Sequence, residues 1–229
     1  MKSEIEMRKI KLLILLPFLV IQFGMIGCQK DDNSSESANP EKWELQNGDL
    51  VFQISQSGQS QAIQEATDCP YSHVGIIYLM DGKPYVFEAV KTVRLTPWKE
   101  WKDRGKGDDY IVMRSKQSLT EAMLLDIREY GEQFNGRDYD LQFRWSDDLM
   151  YCSELAWKLY KEGAGIELCA KNKVKNLKLD SKEVERIASK RYTNGFADVP
   201  MTEHIVTPAD LLRANSIVEI YRTAGAPDY

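Results

Sequence analysis

The sequence predicts one α+β domain, a mixed antiparallel sheet packed against helices. Three observations lead there. Short β-rich runs crowd residues 48–115, the long amphipathic helical stretches come only after residue 118, and two of the β runs flank Asp81-Gly82, a dipeptide suited to a two-residue hairpin turn. Alternating βαβ units, the mark of a parallel sheet, are not the pattern.

In chain order, "GDLVFQI" (48–54) follows a turn signal and reads as the first strand. "SQAIQEAT" (60–67) is a short helix. "HVGIIYLM" (73–80) and "PYVFEAV" (84–90) are the hairpin strands, and "TVRLT" (92–96) continues the sheet. A Thr-Pro pair opens a helix at "TPWKEWKDR" (96–104), after which "DYIVMRS" (109–115) returns as a strand. Leu119, Met123, Leu124, Ile127 and Tyr130 recur at helical spacing over 119–134. A loop rich in glycine, aspartate and aromatic residues leads to a second helix, "CSELAWKLYKEG", stopped by Gly163 and Gly165. Residues 170–190 are heavily charged and read as an exposed segment. "TPADLLRA" (207–214) is a helix with Pro208 in its first turn, and "SIVEIYR" (216–222) closes the chain as a strand.

The N-terminus reads as an address. Arg8, Lys9 and Lys11 precede the apolar run 12–27, which contains Pro17 and Gln22 and is shorter than the roughly 20 residues a membrane-spanning helix needs. The "MIGC" that ends it resembles a bacterial lipobox, with Met25 where leucine is usual, and this implies lipidation at Cys28. Residues 1–27 are therefore expected to be a lipoprotein signal peptide. Residues 28–42, polar and without periodicity, are expected to be a flexible tether, and 43–229 the folded domain. The expected location is the cell envelope, held by the lipid and most simply at an outer membrane. The acidic residues after Cys28 resemble the export signal of surface-exposed Gram-negative lipoproteins.

Composition excludes several classes. The formal charge is −5, becoming about −7 without the leader, and no basic block exists to track a phosphate backbone, so nucleic acid is not an expected partner. Cys69, Cys152 and Cys169 are an odd set in an exported chain, leaving at least one thiol free. With no CxxC pair, and only His73 and His204 far apart, neither a metal nor another cofactor is expected.

The residues that could do chemistry come from the hairpin and the second long helix. With Asp81 and Gly82 at the turn, Glu88 pairs opposite Gly75, and His73 lies on the same face as its diagonal neighbour. A carboxylate beside an imidazole fixes its tautomer and favours its charged form. Small Gly75 would leave room there for an acyl group. Cys152 sits where a polar loop gives way to an amphipathic helix, a position that lowers a thiol pKa. Nucleophile, base and orienting carboxylate would be Cys152, His73 and Glu88. Each also has a plain structural reading: an inert core thiol, a satisfied strand histidine, a solvated glutamate. Cys169 keeps that plain reading. Cys69, four residues before His73, could lie near enough to compete for labelling, and His204 would be a substitute base should His73 face the core.

"GDLVFQ", "AT" before "YSHVGI", "FEAV", and "GRDYDLQF" leading to "YCSEL" occur in this order. Together they resemble the YiiX/YaeF-like permuted papain-like amidases, relatives of NlpC-type cell-wall peptidases and of the lecithin:retinol acyltransferase group. The resemblance implies a permuted papain-like fold with Cys152 as nucleophile, His73 as base and Glu88 as third member. It also implies that Tyr139 helps polarise the substrate carbonyl, where an aromatic packing role is the alternative. Glu154 stands where NlpC-type enzymes carry glycine, and is expected either to line the pocket and attract a cationic amine or to cap the helix start. The implied reaction is amide or isopeptide cleavage through a thioester, on a peptide or acyl-amide substrate such as a peptidoglycan stem peptide. A lipid acyltransferase or thioesterase on the same fold is a rival, and an idle surface binding module is another.

Overall fold

The computed structural model describes residues 43–229; the expected leader (1–27), Cys28 and tether (28–42) lie outside the described residues. The chain runs β1 (Leu50–Ser55), α1 (Ser60–Thr67), β2 (His73–Met80), β3 (Lys83–Ala89), β4 (Val93–Pro97), α2 (Trp98–Asp103), β5 (Gly105–Ser115) and α3 (Glu121–Glu132). After a long loop come α4 (Cys152–Lys158), a π-helical turn (Leu159–Gly163), β6 (Asn172–Lys173), α5 (Lys182–Arg191), β7 (His204–Ile205), α6 (Pro208–Leu212) and β8 (Ile217–Arg222). Among the described residues no helix is long and apolar enough to cross a membrane.

Six strands form one sheet in the order β4-β3-β2-β1-β5-β8, and every neighbouring pair is antiparallel. Within it, the β2–β3 pair has a register that follows from the turn. Asp81 and Gly82 both take positive φ (50° and 73°), as a two-residue turn matching the strand twist requires, and Met80 pairs with Lys83, Tyr78 with Tyr85 and Ile76 with Phe87. One step further on, Glu88 comes beside Gly75.

Period-two alternation gives the sheet two buried faces. Leu50, Phe52, Val74, Ile76, Phe87 and Ile111 meet Ile127 of α3 and Leu155, Ala156 and Leu159 of the α4 region in the main core. Val51, Ile77, Val86 and Val112 point the other way, under Trp101 of α2 and Tyr110. Both layers are needed for the site, because α4 lies on one face and α2 on the other.

Two expectations are corrected. Residues 170–190 are not simply an exposed segment. Ser181 caps α5 by accepting from the Val184 N–H, and Val184, Ile187 and Ala188 turn inward over α1. The charged residues between them hid an apolar stripe at i, i+3, i+4 spacing. Gly75, in turn, does not make room for an acyl group. A Cβ built there would meet Val86 Cγ1 at 2.2 Å, the Phe87 carbonyl at 3.2 Å and Glu88 Cβ at 3.3 Å. The glycine lets β3 and its Glu88 side chain lie close against β2.

Gly75→Ala is therefore expected to destabilise the domain by about 1–3 kcal/mol, the usual range for overpacking a filled core. Urea unfolding followed by fluorescence measures it, and an alanine variant as stable as wild type would show that the space is not closed.

Candidate active site

Glu88 is fully buried in β3, and a buried carboxylate must have its acceptor capacity filled. Three side chains do so. His73 Nε2 lies 2.5 Å from Oε2, Thr96 Oγ1 of β4 donates to Oε1 at 2.6 Å, and Arg104 Nη2, just after α2, donates to Oε1 at 2.6 Å and Oε2 at 2.5 Å. Burial alone would raise the Glu88 pKa, but His73 and Arg104 outweigh it and bring it down to about 2. The carboxylate is ionised, and it fixes the histidine with Nε2–H toward itself and Nδ1 free for another partner.

That partner is Cys152, the first residue of α4, which is buried and close enough to the His73 ring for the two to shift each other's titration. Burial disfavours the imidazolium, yet the bonds and charges of Cys152 and Glu88 overcome it and raise the His73 pKa to about 9. Burial likewise works to raise the thiol pKa. The hydrogen bond and charge of His73, the Val74 N–H and the Tyr139 hydroxyl together lower it below the ordinary thiol range. Both shifts favour a thiolate–imidazolium pair. The helix start is fastened from both neighbours of Cys152: Ser153 Oγ donates to the Val206 carbonyl at 2.7 Å, and the Val206 N–H donates to Tyr151 Oη at 3.3 Å.

Tyr139 belongs to the loop before α4, held there by its N–H to the Lys91 carbonyl and by a bridge to Met150. Its hydroxyl accepts from Gln59 Nε2 at 2.9 Å and lies near enough to Cys152 to influence the thiol's titration. Arg191, the last residue of α5, in turn donates to Gln59 Oε1. Hydrogen bonds thus run from Arg191 through Gln59 to Tyr139, which stands beside the thiol.

Two spaces meet at this point. Cys152 lines a cavity of about 110 Å³, walled by residues such as Ile63, Phe143, Leu177 and Ile187 and almost wholly apolar. His73 lines an open cleft of about 840 Å³. Gln59, Tyr139 and Arg191 border both.

The structure thus brings together Cys152, His73, Glu88 and Tyr139, and leaves other sequence candidates out. Glu154 does not line either space. It is fully buried, its Oε1 accepting from the Ser146 N–H at 3.2 Å and pairing with Lys158 Nζ at 2.8 Å, so it anchors the preceding loop instead of meeting an amine. Burial pushes its carboxyl up to about 8 against the pull of Lys158. Cys69 packs in the core and borders neither space, and burial raises its thiol pKa; burial pushes the Cys169 thiol up to about 12. All three thiols are free. His204 is exposed on β7, paired with β6, and is no substitute for His73. Sequence reasoning missed Thr96, Arg104, Gln59 and Arg191; only Arg191 carried a signal, as the next member of the α5 stripe.

A buried cysteine at a helix start, a strand histidine and a buried carboxylate on a helix-covered antiparallel sheet define a papain-like thiol site. The comparisons give the family. Residues 44–221 match the model of the permuted papain-like amidase enzymes, YaeF/YiiX, C92 family, and the chain belongs to that family and has its permuted papain-like fold. It is 37% identical over 178 residues to the uncharacterized protein YiiX of Escherichia coli (strain K12), covering 78% of this chain and 87% of that one. It is also similar to the crystal structure of yiiX from Escherichia coli O157:H7, called a metalloprotein, at 36% identity. That match has a TM-score of 0.76 and covers 81% of this chain and all of the other. Among the described residues of this chain, no group of three or more His, Cys, Asp or Glu side chains is placed to hold a metal ion. Both Glu88 oxygens are taken by hydrogen-bond donors, so the site's donor set does not suit a metal.

The depressed Glu88 pKa has a stability consequence whose sign is fixed. A carboxylate whose folded pKa lies below its ordinary 4.5 contributes stability above that pH and loses it as pH falls toward about 2. The shift corresponds to on the order of 3 kcal/mol. Glu88→Gln is expected to lower urea-unfolding stability by about that much at pH 7, with the gap to wild type narrowing by roughly pH 3.5. A gap independent of pH would mean that Glu88 is not ionised in the fold.

Proposed function

We propose that the protein is a cysteine-dependent amide hydrolase working through a thioester on Cys152. The observation that carries this reading is the buried alignment of Cys152, at a helix start, with a His73 ring that is held by Glu88 at 2.5 Å and lowers the thiol pKa. The thiolate attacks the carbonyl carbon, and the developing oxyanion is met by the Cys152 backbone N–H and the Tyr139 hydroxyl. The imidazolium of His73 passes its proton to the amine nitrogen as the C–N bond breaks, leaving an acyl-thioester. A water then attacks, His73 takes its proton, and the thiolate departs with the carboxylic acid released. Glu88 holds the ring in one tautomer throughout.

The apolar cavity beside Cys152 favours a substrate with an apolar acyl group. That same observation supports a second reading, transfer of the acyl group to an acceptor other than water, since only the second step would differ. Lipidation at Cys28 after a leader ending "MIGC" would place the enzyme at the cell envelope, where peptidoglycan stem peptides are one source of amide bonds.

The activated ester p-nitrophenyl octanoate tests the acylation step. Intact-mass and peptide mass spectrometry are expected to find one octanoyl group on Cys152, released by hydroxylamine and absent in Cys152→Ala. Acylation is expected to be at least tenfold slower in His73→Ala, in line with the usual size of general acid–base effects. No adduct, or an adduct on another residue, would contradict the reading. Comparing adduct decay in water with decay in added amine then separates hydrolysis from transfer.

A further inference from the structure

The two spaces at the site differ in charge as well as in shape. The open cleft on the His73 side is lined by Lys91, Arg104, Arg186, Lys190 and Arg191, against one carboxylate, Asp138. This occurs in a chain whose formal charge is −5. Some of that cationic charge is already matched. Arg104 is held by Glu88, and Arg186 pairs with Glu183 at 2.7 Å. Lys91 and Lys190 are exposed and make no ion pair among the described residues. After Asp138 is set against them, the cleft keeps a positive excess.

Solvated lysines alone would be an ordinary surface. Arg191 makes the difference. Its Nη2 is committed to Gln59, whereas Nη1 is buried and has no hydrogen-bond partner. A desolvated guanidinium N–H without an acceptor is costly, and Arg191, which borders both spaces with its guanidinium 5.3 Å over the Phe143 ring, would be satisfied by an acceptor that a ligand brings to their border. A cleft with low-dielectric walls and charges of one sign also concentrates the opposite charge.

The direction of the chemistry says which half of the substrate meets these groups. This step rests on the proposed amide hydrolysis. His73 gives its proton to the leaving amine, so the amine portion projects into the space that His73 lines, while the acyl portion takes the apolar space beside Cys152. We propose that the amine portion of the substrate carries an anionic group, a carboxylate or a phosphate, drawn in by Lys91 and Lys190 and accepting from Arg191 Nη1. The substrate class is then an amide of an apolar acyl group with an anionic amine.

Iodoacetate and iodoacetamide test the anion site without requiring turnover. Both alkylate the thiolate through the same carbon with loss of iodide, and they differ in charge. The ratio of their rates at Cys152 cancels any change in the thiol's own nucleophilicity. In low salt, this ratio is expected to fall at least threefold in Lys91→Gln/Lys190→Gln relative to wild type. The difference should disappear near 1 M salt, where the screening length is about 3 Å. A ratio unaffected by the double substitution overturns the proposal. Failure of the hydrolase reading looks different, with Cys152 reacting no faster than Cys69 or Cys169 toward either reagent.

A second arm uses octanoyl amides of glycine, O-phosphoethanolamine and ethanolamine. The two anionic amides are expected to exceed the neutral one at least tenfold in kcat/KM, and whichever of them leads identifies carboxylate or phosphate as the group read. Equal or faster cleavage of the ethanolamide overturns the proposal. If none is cleaved while the alkylation ratio shifts, the anion site stands and the amide reading falls.

Discussion

The arrangement depends on one buried carboxylate. Glu88 has no access to water, and its two oxygens are satisfied only because His73, Thr96 and Arg104 converge on it from β2, β4 and the end of α2. Removing any of these donors would leave a charge in the core with too few partners, a situation that costs several kcal/mol. The same constraint orients the histidine. With Nε2 committed to Glu88, the other ring nitrogen is left for Cys152, and the protonated ring supports the thiolate. A requirement of burial thus becomes a requirement of orientation.

Cys152 and His73 approach each other from opposite layers. The helix that carries Cys152 packs on one face of the sheet, while Glu88 and Arg104 belong with the α2 side. His73 begins its strand, where the sheet ends, and this lets one ring touch partners from both layers. The two spaces at the site follow from the same division. The smaller, almost wholly apolar one lies against Cys152 under α1 and α5, and the larger one, with its cationic side chains, lies beside His73. Tyr139, held by Gln59 and Arg191, stands at their border.

Much of the site was legible in local sequence. Asp81-Gly82 sets the hairpin register, and that register alone places Glu88 diagonal to His73. Cys152 was legible because a polar loop met an amphipathic run. Thr96 and Arg104 were not, since their link to Glu88 spans a turn and a helix whose packing no local pattern encodes. Gln59 reaches Tyr139 across 80 residues and Arg191 reaches Gln59 across 132, distances over which a single sequence carries no pairing signal. Residues 170–190 were misread because their charge masked the apolar stripe of α5. Of the two readings of Glu154, the pocket one fails because Lys158, one turn on, provides a buried partner that the sequence does not reveal, and the residue stays in the first turn of α4. At Gly75 the sequence suggests substrate space, but the neighbouring strand fills it.

The central claim is that Cys152 is a thiolate stabilised by His73. The direct measurement is iodoacetamide alkylation of each thiol in the full chain from pH 4 to pH 9, resolved by peptide mass spectrometry, in wild type and His73→Ala. The account predicts that Cys152 reacts well below pH 8.5, the ordinary thiol value, because its folded pKa is lowered; its thiolate fraction then survives to lower pH. His73→Ala should move that profile upward toward those of Cys69 and Cys169. A Cys152 profile that matches the two buried thiols, or that ignores the loss of His73, would contradict the account.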